Sequence, residues 1–213
     1  MKCDKKDLLL YAVTDRRWLN GRTLCDAVRE SLEGGVTFVQ LREKNLDKKE
    51  FLDEAVKLRD LCREYHVPFV IDDDVDICIE SGADGVHVGQ SDMEAGEVRA
   101  KLGPDKIIGV TARTVEQALL AEKRGADYLG VGAAFPTGSK DDAKPLSHET
   151  LKAICEAVSI PVIAIGGITA QNVSKLSGSG ICGIAAISSI YAADNITLAA
   201  EELKEAVSKA VDS

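Results

Sequence analysis

The chain has 213 residues, 45% of them hydrophobic, enough for a large packed domain and too apolar for a disordered one. A formal net charge of −9 disfavours nucleic acid and anionic membrane surfaces as partners. Its apolar runs are far shorter than the roughly 20 residues a membrane-spanning helix needs, and its charged start lacks a small-residue cleavage site.

Eight β-rich runs alternate with helical stretches. Strands are predicted at 8–14, 37–42, 68–72, 85–89, 107–111, 128–132, 161–165 and 183–188. Between the second and third, Leu52, Ala55, Val56, Leu58, Leu61 and Cys62 supply one amphipathic face. The run 115–122 is rich in strong helix formers, and 198–211 reads as a final helix. Gly34-Gly35, Gly82 and Gly125 each separate a helix from the next strand. Strands and helices alternating at this spacing imply parallel pairing through right-handed crossovers. Eight such units predict a single (β/α)8 TIM barrel over 1–213. An open doubly wound sheet is the runner-up. It would call for a glycine-rich first loop, and Thr14-Asp15-Arg16-Arg17-Trp18 has none.

Barrel chemistry sits at the carboxyl ends of strands. Side chains alternate along a strand, so Gln40 and Arg42 share one face while Val39 and Leu41 share the other. Polar groups on a buried strand are costly unless they bind something. Arg42 offers a planar fork of donors and Lys44 a point charge, which reads as an anion site or as a solvated charged strand end. The third strand ends in Asp72-Asp73-Asp74, and the fourth runs through His87 to Asp92. Asp73 and Asp92 follow adjacent strands and could share one Mg²⁺, which takes one or two carboxylates plus substrate phosphate. An aspartate here could instead cap the next helix; Arg42 and Lys44 next door favour the metal.

The fifth strand ends in Thr111. The longest connection, 133–146, holds Thr137, Gly138, Ser139 and Lys140, and reads as a lid carrying a cation or as a loop with a solvated lysine. Gly166-Gly167 precedes a helix predicted at 169–176 and reads as a phosphate cradle, which Ile187 and Ser188 could complete, or as a plain tight turn. His87 reads as a satisfied core histidine in preference to a catalytic base, and His66 and His148 as structural. The six cysteines are scattered, with no zinc spacing, which suits reduced thiols in a cytoplasmic protein. No serine lies in a nucleophile-elbow context.

Taken together, Tyr11-Ala12-Val13-Thr14-Asp15, Gln40-Leu41-Arg42-Glu43-Lys44, the stretch from Ala83 to Asp92, Phe135-Pro136-Thr137, Lys140, Ile165-Gly166-Gly167-Ile168 and Ile187-Ser188 resemble the thiamine-phosphate synthase family. The resemblance covers nearly the whole chain. It implies an enzyme that joins hydroxymethylpyrimidine diphosphate to a thiazole phosphate, carboxylated or not, and releases diphosphate. It implies that Gln40, Leu41, Arg42, Glu43, Lys44, Asp72, Thr111 and Lys140 hold the pyrimidine diphosphate, with Arg42, Lys44 and Lys140 catalytic. Thr137, Gly138, Ser139, Gly167, Ile187 and Ser188 would hold the thiazole phosphate, and Asp73 and Asp92 would ligate Mg²⁺. The expected partners are these two small molecules, with neither nucleic acid nor membrane; self-association into a homo-oligomer stays open.

Three positions depart from the family's usual pattern. Asp72 stands where Asn is usual, and this extra carboxylate is expected to raise the magnesium requirement. Thr111 replaces a serine, and Thr137-Gly138-Ser139 replaces Thr-x-Thr; both keep the hydroxyls. The nearest rival is the related thiazole tautomerase, an isomerase on the same barrel. That relative carries a histidine where this chain reads Gly132-Ala133-Ala134 and tends to lack the complete metal and diphosphate set. A non-catalytic barrel that binds phosphorylated ligands is the third reading.

Overall fold

Side-chain alternation along eight short strands gives the molecule two cores. In β1 (Leu10–Val13), Tyr11 and Val13 point one way and Leu10 and Ala12 the other. The split recurs in β2 (Phe38–Leu41), β3 (Phe69–Asp72), β4 (Gly85–Val88), β5 (Ile107–Ala112), β6 (Tyr128–Gly132), β7 (Val162–Ile165) and β8 (Gly183–Ala186). One set, including Tyr11, Phe38, Val70, Ile107, Tyr128 and Ile163, fills the space the strands enclose. The other, including Val39, Leu41, Ile71, Val86, Leu129 and Ile184, packs under the helices. The computed structural model describes residues 3–137 and 145–212.

The strands pair in parallel and in chain order, and β1 pairs with β8 to close the barrel. The predicted (β/α)8 barrel is the fold. Register sets neighbours that sequence spacing does not reveal: Asp72 lies opposite His87, His87 opposite Gly109, and Gly109 opposite Tyr128.

The outer layer is α1 (Leu24–Glu33), α2 (Lys48–Glu64), α3 (Val75–Ser81), α4 (Ala95–Leu102), α5 (Val115–Lys123), α6 (His148–Ala157), α7 (Ser188–Tyr191) and α8 (Ile196–Val211). Thr23, Asp47, Asp74, Glu94, Thr114, Ser147 and Asn195 each accept a backbone N–H at a helix start, which fixes where seven of these helices begin. The exception is α7, which has no side-chain cap and opens directly on the barrel's rim.

Most predicted boundaries move by a residue or two, and some changes bear on the ends of the barrel. Leu8 belongs to a 3₁₀ turn, Lys5–Leu8, so the first strand starts at Leu10. The last strand stops at Ala186, and Ile187 precedes α7. The helix predicted at 169–176 is only a 3₁₀ turn, Val173–Leu176. Asn172 causes this: its Oδ1 accepts the Thr169 N–H at 2.9 Å and its Nδ2 donates to the Gly167 carbonyl at 2.9 Å, closing a local loop. Among the described residues, no helix is long and apolar enough to cross a membrane.

Candidate active site

The carboxyl ends of the strands open into one pocket of ≈ 850 Å³. β2, β3 and β4 contribute Gln40, Arg42, Lys44, Asp72, Asp73, His87 and Asp92. Across the ring, the ends of β6, β7 and β8 contribute Thr137, Gly166, Gly167, Ile187, Ser188 and Ser189. A charged wall thus faces a wall of hydroxyls, glycines and backbone.

The charged wall follows from strand alternation. Gln40, only 5% exposed, faces inward, and Arg42 continues that face past the strand end. The Thr14 hydroxyl accepts the Arg42 N–H at 3.0 Å and fixes that strand end. The Arg42 guanidinium lies 3.8 Å from both Asp15 and Asp72, too far for good hydrogen bonds to either. Lys44 is closer to its partners, 3.1 Å from Asp72 and 2.6 Å from Asp73. Burial opposes its charge, yet its hydrogen bond to Asp73 and the Asp72 carboxylate outweigh this and hold the ammonium above its ordinary range. Asp72 takes the Gln40 amide at 2.5 Å besides both cations, so its charge is compensated locally.

Asp73 and Asp92 both line this pocket, and their carboxylates interact electrostatically. Burial first, and then the neighbouring Asp73, push the Asp92 carboxyl up, against the opposing Gly89 N–H and Lys44. Two carboxylates held together in this way are a ready pair of hard oxygen ligands. Neither is used as a helix cap: Asp74 caps α3 and Glu94 caps α4. Asp73 adopts φ 63°, a left-handed backbone that costs a non-glycine residue energy and clusters at functional sites. Among the described residues, no group of three or more His, Cys, Asp or Glu side chains could hold a metal, so a cation here would draw its further ligands from substrate and water.

On the facing wall, Gly167 has φ 64°, and a Cβ there would stand 2.3 Å from the Pro136 carbonyl oxygen. Only glycine lets the loop after β7 pass this close to the loop after β6. The amides that open α7, from Ser188 and Ser189, have no acceptor within their own helix.

Below both walls a row of hydrogen bonds crosses the barrel. Tyr11 Oη donates to Gln40 Oε1 at 2.9 Å and lies 2.9 Å from Tyr128 Oη. His87 bridges Tyr128 and Thr111, with Nδ1 3.0 Å from Tyr128 Oη and Nε2 3.0 Å from Thr111 Oγ1. Burial raises both phenols well above their ordinary range and keeps them as neutral hydroxyls. A Cβ at Gly109 would stand 2.1 Å from the Tyr128 ring and 2.5 Å from His87 Nδ1.

The structure brings Gln40, Arg42, Lys44, Asp72, Asp73, Asp92, Thr111, Thr137, Gly167, Ile187 and Ser188 to one pocket. It does not bring Leu41 or Glu43. Leu41 faces outward and is fully buried under the helices, as alternation from Gln40 requires. The Glu43 carboxylate turns away to Arg16, at 2.6 Å. Gly138, Ser139 and Lys140 lie outside the described residues. Sequence reasoning missed Tyr11 and Tyr128 as members of the site and treated His87 as core. The signal available was glycine inside a strand, at Gly109 and Gly130, which marks a close approach.

Known proteins carry the same pattern. The family described as thiamine monophosphate synthase matches residues 10–190. The chain is 51% identical over 197 residues to the thiamine-phosphate synthase of Clostridium tetani, covering 92% of this chain and 94% of that protein. It is 49% identical over 201 residues to that of Ruminiclostridium cellulolyticum, covering 94% and 96%. The solved structure of thiamine phosphate pyrophosphorylase from Pyrococcus furiosus superposes with a TM-score of 0.89 at 42% identity, covering 97% of this chain and 98% of that one.

Proposed function

Because this chain belongs to the thiamine monophosphate synthase family, we propose that its rim pocket joins 4-amino-2-methyl-5-hydroxymethylpyrimidine diphosphate to a thiazole ethyl phosphate, giving thiamine monophosphate and diphosphate. One observation carries this reading: two walls suited to anions face each other across one pocket, the first cationic and the second built of hydroxyls and backbone N–H groups. Two phosphorylated substrates need two such walls.

In the reaction, the bond between the pyrimidine's methylene carbon and the diphosphate oxygen breaks, and its electron pair leaves with the diphosphate. The amino group's electrons stabilise the resulting cation. The thiazole nitrogen then donates its lone pair to that carbon. Arg42 and Lys44 hold the departing diphosphate by preorganised donors, and Lys140 is expected to add a third cation. Gln40 and Thr111 orient the pyrimidine from below. Thr137, Gly167, Ile187 and Ser188 grip the thiazole phosphate and point the nitrogen across the pocket.

Asp73 and Asp92 suit Mg²⁺: both line the pocket, burial and the neighbouring Asp73 hold the Asp92 carboxyl above its ordinary range, and neither caps a helix. Bound there, the ion would neutralise charge on the diphosphate. No covalent enzyme nucleophile enters the scheme. The test is product formation from the two phosphorylated substrates with and without magnesium. An isomerase would convert the thiazole without the pyrimidine, and a binding protein would convert neither.

A further inference from the structure

We propose that Asp72 sets the direction of the hydrogen-bond row beneath the pocket, so that His87 carries its proton on Nδ1 and Thr111 turns lone pairs, not its proton, toward the ligand. The available protons fix the direction of each bond in the row. An ionised carboxylate only accepts. Two cations, Lys44 at 3.1 Å and Arg42 at 3.8 Å, sit on the Asp72 carboxylate. The Gln40 group 2.5 Å away must therefore be the amide NH₂, which leaves the Gln40 carbonyl to face Tyr11. Tyr11 has one hydroxyl proton and gives it to that carbonyl. At the 2.9 Å contact between the phenols, Tyr128 must then be the donor. Tyr128 has now used its own proton, so at 3.0 Å His87 Nδ1 must carry one. A neutral imidazole has a single N–H, so Nε2 accepts from the Thr111 hydroxyl at 3.0 Å.

An amide at position 72 would remove this constraint. It could donate to Gln40, and every bond in the row could reverse without losing a partner. Nε2 would then carry the proton and Thr111 would point its own proton into the pocket. A carboxylate permits one direction; an amide permits two. Tyr11, Tyr128 and His87 are thus positioning residues. They transmit the charge state of β3 to a hydroxyl on β5. Under the function proposed above, Thr111 is held ready to accept from an exocyclic amine. The direction itself does not depend on that reading.

The test uses ligand-free enzyme with ¹⁵N-labelled histidine, at about pH 8, above the ordinary imidazole value of about 6.5. The chain has only 3 histidines, and His87→Gln identifies the signal. Long-range ¹H–¹⁵N correlation is expected to find Nδ1 protonated and Nε2 bare. A proton on Nε2, on both nitrogens, or shared equally would overturn the proposal. Asp72→Asn is expected to bring the second tautomer into view; a spectrum unchanged from the parent would remove Asp72 as the cause. Tyr11→Phe decides the same point if Asp72→Asn fails to fold. It leaves the Tyr128 proton to turn toward Nδ1, so the Nε2–H form should gain, and an unchanged spectrum would again overturn the proposal. Because no substrate is present, these outcomes are independent of the coupling assay.

Discussion

Lys44, just past β2, and Asp73, just past β3, are joined by a 2.6 Å ion pair at the mouth of the pocket. This pair joins the ammonium that the proposed function assigns to diphosphate and the carboxylate it assigns to the metal. Substrate and metal would each take one partner. Lys44→Ala should therefore lower turnover by roughly 10²–10³-fold, the usual cost of losing one preorganised charge stabiliser. Thiazole phosphate binding, which the proposed function assigns to the opposite wall, should change little. Steady-state rates and direct thiazole phosphate titration check the split; equal losses in both would contradict the role.

Asp73→Asn separates the carboxylate from its backbone. Asparagine tolerates the left-handed conformation that Asp73 adopts at φ 63°. Thermal stability should stay close to the parent's. The magnesium concentration for half-maximal activity should rise by at least about tenfold, a loss seen even for groups one shell away from a metal. A magnesium titration of the initial rate reads this, and an unshifted midpoint would exclude Asp73 as a ligand.

How much of this was legible beforehand depended on whether a rule acts along the chain or across it. The shared face of Gln40 and Arg42 follows from the period of a strand, and the same rule excludes Leu41. The barrel follows from eight alternations. Of Asp72, Asp73 and Asp74, the sequence could not say which caps α3; the answer, Asp74, depends on where the chain turns. The expected helix at 169–176 was absent because the Asn172 side chain competes for the loop's backbone groups. His87 was read as satisfied, which it is, but its partners Tyr128 and Thr111 come from other strands and are set by register.

Gly167→Ala tests the facing wall. The added methyl would meet the Pro136 carbonyl oxygen at 2.3 Å, on a backbone with φ 64°. Strain of this kind costs about 1–3 kcal/mol. The KM for thiazole phosphate should rise, and the melting temperature should fall. Kinetics with the thiazole varied at saturating pyrimidine diphosphate would show it; an unchanged KM would mean that this loop does not shape the phosphate site.

Asp15 supplies a prediction on pH. Burial alone would raise its carboxyl, but the hydrogen bonds from Arg17 and the charges of Arg17 and Arg42 outweigh this and hold it below the usual range. A depressed carboxyl contributes stability above its unfolded value, about 3.9, and loses it as pH falls through the folded value. Asp15→Asn should therefore be less stable than the parent at neutral pH, and the gap should close below about pH 4. Urea unfolding of both proteins across that range checks the sign. A gap that widens in acid would contradict it.

The most direct measurement of the whole account is a coupled-product assay with purified enzyme, hydroxymethylpyrimidine diphosphate, thiazole phosphate and magnesium. The expected result is thiamine monophosphate and diphosphate in equal amounts, dependent on both substrates and on the metal. Thiazole isomerisation without the pyrimidine, or binding of both ligands with no product, would contradict it.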